Sequence, residues 1–124
     1  MKLRVLVVED DAMVRDVLTT LLGFDGLEVV TASDGSIGLE LATTIDPDVL
    51  VLDVGLPGMD GLELCRSVRE SGSEIRIVMV SGRDGEGAEL DGVAAGANIY
   101  LRKPFSPLEL LDAIGIEEKG SGSQ

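Results

Sequence analysis

The sequence predicts an α/β domain built around a parallel β-sheet. Short apolar segments alternate five times with segments of helical periodicity, as in a chain of β-α units. Several of the apolar segments are nearly continuous, which indicates strands covered by helices on both faces. Right-handed connections between successive strands then make the sheet parallel. A chain of 124 residues is long enough for one such domain with its own hydrophobic core.

The first half of the chain predicts three strands and two helices. The strands are expected at 3–8, 27–32 and 48–53. The first helix begins after Asp11, which suits a helix cap, and the second begins at Asp34 and ends before Pro47. The apolar positions of the first helix repeat at helical spacing and are expected to face the core: Val14, Val17, Leu18, Leu21 and Leu22.

The second half predicts three helices and two strands. A third helix follows the turn LPGMDG and buries Leu64, Cys65 and Val68, and a fourth strand at 75–80 ends at Ser81. The remaining elements are a glycine-rich helix at 85–97, a strand at 99–101 and a helix at 106–114. The glycine-rich helix is expected to face inward through Leu90, Val93, Ala94 and Ala97. We expect the domain to span 1–116 and a flexible tail, a linker or cloning remnant, to span 117–124.

The composition excludes several classes of function. The formal net charge of −13 argues against direct binding of nucleic acid, which requires clustered Lys and Arg. The chain has no histidine, so a histidine-based zinc site or catalytic triad cannot form within it. Cys65 is the single cysteine and excludes an intrachain disulfide. No apolar run reaches the roughly 20 residues that span a bilayer, and we expect a cytoplasmic protein without a membrane partner.

Polar side chains cluster at the predicted carboxyl ends of the strands. They are Glu9, Asp10 and Asp11 after the first strand, Asp53 after the third, Ser81 after the fourth and Lys103 after the fifth. These ends meet at one edge of a parallel sheet, where ligands bind in open α/β folds. Carboxylates suit Mg²⁺ or Mn²⁺, and an ammonium and a hydroxyl suit a phosphoryl group. The residues therefore predict metal-assisted phosphoryl transfer to a carboxylate.

These motifs resemble the receiver domain of two-component response regulators. The likeness lies in VLVVEDDAMVR, VLVLDVGLPGMDG, VMVSG and GANIYLRKPFSPLELL, which stand in order and run from about residue 3 to residue 114. The resemblance implies a flavodoxin-like (βα)5 fold with strand order 2-1-3-4-5. It also implies a sensor histidine kinase or phosphotransfer protein as phosphodonor, and an output domain or downstream protein as target.

The resemblance assigns roles at the acidic site. Asp53 matches the phosphoacceptor, and Asp10 and Asp53 match direct ligands of Mg²⁺ or Mn²⁺. Gly55 would add its backbone carbonyl to the metal, and Glu9 would act through a water molecule. Asp11 is better explained as the cap of the first helix. Such a protein would catalyse only its own phosphorylation and dephosphorylation.

The resemblance also assigns a switch. Ser81 and Lys103 match the side chains that contact the phosphoryl group, and Ser81 and Tyr100 match the switch pair. Tyr100 would turn inward on activation; the alternative is that a half-buried aromatic simply packs at this position. The bond Lys103–Pro104 matches a peptide bond that is usually cis. Activation would change the face formed by the fourth helix, fifth strand and fifth helix, with a phosphorylation-dependent homodimer as one outcome.

An alternative function is a small Mg²⁺-dependent phosphohydrolase with an aspartate nucleophile. Such an enzyme commonly needs a second carboxylate close to the nucleophile as acid and base. It also usually needs a cap or a larger chain for its substrate, which we do not expect 124 residues to hold. The receiver-like motifs at the strand ends therefore favour the receiver.

Overall fold

The computed structural model describes residues 3–82 and 86–115, in which a five-stranded sheet alternates with five helices. The strands are β1 (Arg4–Val8), β2 (Glu28–Ala32), β3 (Val49–Asp53), β4 (Arg76–Ser81) and β5 (Ile99–Arg102). The helices are α1 (Ala12–Phe24), α2 (Gly35–Thr44), α3 (Gly61–Glu70), α4 (Glu86–Ala95) and α5 (Pro107–Ile114). All strand pairs are parallel, in the order β2-β1-β3-β4-β5. The predicted flavodoxin-like fold is confirmed.

The sheet separates two apolar cores. Side chains of β1 and β3 alternate between them, with Leu6, Val8, Leu50 and Leu52 in one core and Val5, Val7, Val49 and Val51 in the other. Both strands are almost completely buried, which explains their nearly continuous apolar sequence. Cys65 is also fully buried, and burial raises the pKa of its thiol. This central pair of strands is the rigid base of the loops that follow it.

Helix caps fix where four helices begin. Asp11 caps α1 by accepting hydrogen bonds from the amides of Met13 at 2.9 Å and Val14 at 3.3 Å, as predicted. Asp34 and Asp60 cap α2 and α3 in the same way, and Ser106 starts α5 with a reciprocal capping box. Because α1 begins directly after β1, its cap also shapes the loop that carries the first acidic residues.

The predicted inward faces of α1 and α4 were wrong in part. Val17 is 58% exposed, because Leu18 and Leu22 cover the sheet and leave Val17 at the margin of the apolar stripe. On α4, Leu90, Val93 and Ala94 are exposed, whereas Ala97 is buried as predicted but lies beyond the end of the helix.

Small residues face the sheet from α4. A Cβ at Gly92 would lie 2.9 Å from Cδ2 of Tyr100 and 3.0 Å from Sδ of Met79, and Ala95 is the buried neighbour one turn on. Since the helix lies this close to β4 and β5, its larger side chains must point outward.

Two predictions lie outside the described residues. They are the start of the fourth helix at Gly85 and the tail at 117–124. Among the helices in the described ranges, none has the length and apolar character that a bilayer crossing requires.

Candidate functional site

The candidate residues meet at the carboxyl edge of the sheet. Glu9 and Asp10 follow β1, Asp53 ends β3, Ser81 ends β4 and Lys103 follows β5. Asp53 is in register with Val80, and the amide of Lys103 donates to the carbonyl oxygen of Ser81 at 2.8 Å. The parallel register therefore brings residues from four separate parts of the chain to one crevice.

Lys103 connects two carboxylates across this crevice. Its Nζ lies 3.2 Å from Oε1 of Glu9 and 3.3 Å from Oδ2 of Asp53. Glu9 and Asp53 are only 2% and 8% exposed, so their charges would repel strongly without a cation between them. The ammonium group holds both carboxylates towards the same space and offsets part of their repulsion.

Glu9, Asp10 and Asp53 form a group that fits a divalent cation. Each offers a carboxylate oxygen, and these oxygens lie within 4.8 Å of one another. Oxygens that share one Mg²⁺ at about 2.1 Å lie at most about 4.2 Å apart, so small side-chain rotations suffice. Hard oxygen donors of this kind are the ligands that Mg²⁺ and Mn²⁺ prefer.

The three acidic residues in the loop between β1 and α1 make different contacts. Oε2 of Glu9 accepts a hydrogen bond from the amide of Asp11 at 3.1 Å, and the amide of Glu9 donates to the carbonyl oxygen of Ala32 at 3.0 Å. Oδ1 of Asp11 accepts hydrogen bonds from the first turn of α1, which explains why Asp11 is not part of the metal-binding group. Asp10 lies between them and is exposed.

The pKa values at the site reflect its crowding. Burial is the main cause that raises the pKa of Glu9, and the charge of Asp53 adds to it, against the opposing effects of the Asp11 amide and Lys103. Burial alone would lower the pKa of Lys103, but the carboxylates of Asp53 and Glu9 outweigh it and raise that pKa. Lys103 therefore stays charged at neutral pH, whereas the ionised form of Glu9 is disfavoured.

The raised pKa of Glu9 predicts a pH-dependent loss of stability in metal-free protein. The folded state holds the proton of Glu9 more tightly than the unfolded chain, so stability falls as the pH rises from about 4.5 through the folded pKa. Glu9→Gln should remove this loss and become more stable relative to wild type as the pH rises. Urea unfolding with EDTA at several pH values measures the difference. Glu70→Gln, at an exposed position, should show no such trend, and a pH-independent difference for Glu9→Gln would contradict burial as the cause.

Gly55 contacts the carboxylate of Asp53, and Ser81 ends the neighbouring strand β4. The amide of Gly55 donates to Oδ1 of Asp53 at 3.2 Å, which places the Gly55 peptide at the site. Ser81 is 2% exposed at the end of β4, in register with Arg102. The peptide bond between Lys103 and Pro104 is cis.

Tyr100 lies on β5 with its ring directed into the protein. The ring packs against the core next to Met79 and Gly92. Its hydroxyl is buried and has no hydrogen-bond partner among the described residues. The side chain thus occupies an inward position with one polar atom unsatisfied.

Arg15 is a residue at the site that sequence reasoning missed. Its Nη1 donates to the carbonyl oxygen of Glu9 at 2.7 Å, so a cation from α1 contacts the acidic loop. The one available signal was its position in the first turns of α1, directly after the acidic residues.

A parallel α/β domain with an acidic pocket bridged by a lysine fits a domain that accepts a phosphoryl group, and comparisons with known proteins identify the family. The model of the response regulator receiver domain family matches residues 5–115. The chain belongs to this family. It is a phosphorylatable receiver of the two-component type, and the phosphohydrolase alternative is not favoured.

Named relatives agree with this assignment. Response regulator MprA of Mycobacterium ulcerans is 45% identical over 111 residues, covering 90% of this chain and 48% of that protein. MprA of Mycobacterium leprae is 44% identical over 112 residues, covering 90% and 49%. The chain thus spans about half the length of the curated relatives it matches.

Solved structures show the same fold. The receiver domain of the Francisella response regulator 1452 has a TM-score of 0.89 and 30% identity, covering 97% of this chain and 99% of that chain. The Vibrio cholerae chemotaxis protein CheY4 has a TM-score of 0.87 and 32% identity, covering 94% and 98%.

Proposed function

We propose that Asp53 accepts a phosphoryl group from the phosphohistidine of a sensor histidine kinase or phosphotransfer protein. The observation that carries this proposal is the contact of Lys103 with Oδ2 of Asp53, in a pocket where the oxygens of Glu9 and Asp10 also lie close. A carboxylate oxygen of Asp53 attacks phosphorus, the bond from phosphorus to the histidine nitrogen breaks, and that nitrogen keeps the electron pair.

The other residues of the pocket would bind the metal or contact the phosphoryl group. Asp10, Asp53 and the carbonyl of Gly55 would hold Mg²⁺ or Mn²⁺, with Glu9 acting through water. When bound, the metal neutralises charge that develops on the phosphoryl oxygens. Lys103 and the hydroxyl of Ser81 would donate to these oxygens. The raised pKa of Lys103 supports its role, because the donor remains charged.

The switch would operate through Ser81 and Tyr100. Contact of Ser81 with the phosphoryl group would move the end of β4 relative to α4, which packs on Tyr100. A buried hydroxyl without a partner costs about 1–3 kcal/mol, which would reduce the free-energy difference between the inward position of Tyr100 and an outward one that reaches water. A small difference would allow a small change at Ser81 to alter the surface of α4, β5 and α5.

That surface would control an output domain or a downstream protein, or form a phosphorylation-dependent homodimer. The domain would act in the cytoplasm and modify only its own aspartate, without turnover of an external substrate. The net charge of −13 supports a protein partner rather than nucleic acid or an anionic membrane.

Acetyl phosphate tests the proposed phosphoacceptor. With Mg²⁺, we expect the intact mass of the protein to rise by one phosphoryl group, and EDTA should prevent the increase. Asp53→Asn should show no adduct, because the amide is a poor nucleophile. Asp11→Asn is the matched control, since asparagine also caps a helix and the adduct should persist. An undiminished adduct on Asp53→Asn would contradict the proposal.

A further inference from the structure

Arg15 and Lys103 contact different atoms of Glu9, Arg15 the backbone carbonyl oxygen and Lys103 the side-chain Oε1. The side chain is half-buried, and its Nη1 lies 2.7 Å from the carbonyl oxygen of Glu9. The backbone amide of Arg15 also donates to the carbonyl oxygen of Asp11 at 3.0 Å, within the first turn of α1. Arg15 is therefore anchored to the helix at one end and to the end of β1 at the other.

The hydrogen bond from Arg15 acts on the peptide that leads into Asp10. The carbonyl of Glu9 and the amide of Asp10 belong to one planar unit, so fixing the carbonyl fixes the plane from which Asp10 continues. Other hydrogen bonds hold the amide and side chain of Glu9, through Ala32 and Asp11. The hydrogen bond from Arg15 holds the Glu9 carbonyl, which the bonds to Ala32 and Asp11 leave out.

We propose that Arg15 is a positioning residue for the divalent-cation site, an inference that rests on the proposed metal-binding role of Asp10. A charge-assisted hydrogen bond is about twice as strong as a neutral one and fixes the loop accordingly. Residues that orient metal ligands typically change metal affinity by 10–100-fold when they are replaced. The charge of Arg15 by itself acts in the other direction, because a cation repels Mg²⁺.

Loss of positioning weakens Mg²⁺ binding, whereas loss of the positive charge strengthens it. The direction of the change in affinity therefore tells which effect governs. Isothermal titration with Mg²⁺ should show about tenfold weaker binding by Arg15→Met than by wild type. The matched control is Arg66→Met, which removes an exposed arginine from α3 and should change the affinity by less than about twofold. Equal or tighter binding by Arg15→Met would show that charge rather than positioning governs, and would overturn the inference.

Hydrogen exchange and a second variant test the role of Arg15 independently of the Arg15→Met titration. In metal-free protein, the Asp11 amide should exchange with deuterium faster in Arg15→Met than in wild type, because its partner Glu9 is less fixed. If Arg15→Met does not fold, Arg15→Gln, whose amide ends well short of the Glu9 carbonyl, should show the same weakening. Wild type that fails to bind Mg²⁺ would contradict the proposed metal site as well, whereas normal binding by wild type and by whichever Arg15 variant folds would contradict the role of Arg15 alone.

Discussion

Asp10→Asn is expected to abolish the increase in melting temperature that Mg²⁺ gives the wild-type protein. A ligand present at 100 times its dissociation constant stabilises the folded state by about 2.7 kcal/mol. For a domain of this size we expect that to raise the melting temperature by roughly 8–12 °C. The oxygens of Glu9, Asp10 and Asp53 lie within 4.8 Å of one another, and removing one charge disrupts the ligand set.

The stability of Asp10→Asn in the absence of metal is a second test of the same ligand set. Without Mg²⁺, Asp10→Asn should be as stable as wild type or slightly more stable, because it removes repulsion from Asp53 and Glu9. Asp11→Asn is the control and should retain the full thermal shift, since Asp11 caps α1 and lies outside the metal-binding group. A full Mg²⁺ shift in Asp10→Asn would contradict the assigned ligand set. Differential scanning fluorimetry with and without EDTA measures all three proteins.

Lys103→Met is expected to tighten Mg²⁺ binding while it strongly slows phosphorylation. The ammonium group contacts Oε1 of Glu9 and Oδ2 of Asp53, and its charge competes with a cation for the same oxygens. Removing it should strengthen Mg²⁺ binding at least about tenfold, after allowance for its partial exposure to solvent. Loss of one donor to developing phosphoryl charge should slow phosphorylation by about 100-fold or more.

The two effects separate the roles of Lys103 as counter-ion and as donor. Titration calorimetry gives the Mg²⁺ affinity, and the rate of adduct formation from acetyl phosphate gives the reaction. Arg66→Met serves as a control for the general loss of one positive charge on the surface and should change neither quantity appreciably. Weaker Mg²⁺ binding with an undiminished phosphorylation rate would contradict both roles.

The sequence predicted those features whose formation depends on one dominant interaction. The continuous apolar segments of β1, β3 and β4 specified a sheet covered on both faces, and the structure buries them accordingly. The position of Asp11 before an amphipathic segment specified a helix cap. The candidate residues Glu9, Asp53 and Lys103 follow from the rule that parallel strands end at one edge, and the structure places them in contact. Their chemical roles stay predictions.

The sequence did not predict features that depend on the distance between packed elements or on a hydrogen bond to the backbone. Leu90 and Val93 have helical spacing, but the close approach of Gly92 to Tyr100 turns the helix so that they face outward. Periodicity specifies a stripe of large residues and does not show that small residues face the sheet. The hydrogen bond of Arg15 to the Glu9 carbonyl could not be predicted either. Every residue has a backbone carbonyl, so the residue type does not show which one accepts a hydrogen bond.

Chemical mapping of the phosphoryl group tests the central claim most directly. Sodium borohydride reduces an aspartyl phosphate to homoserine, which peptide mass spectrometry locates within the chain. After treatment with acetyl phosphate and Mg²⁺, we predict homoserine at position 53 and an unchanged aspartate at positions 10 and 11. Conversion at position 10, or a phosphoryl adduct that resists borohydride, would contradict Asp53 as the phosphoacceptor.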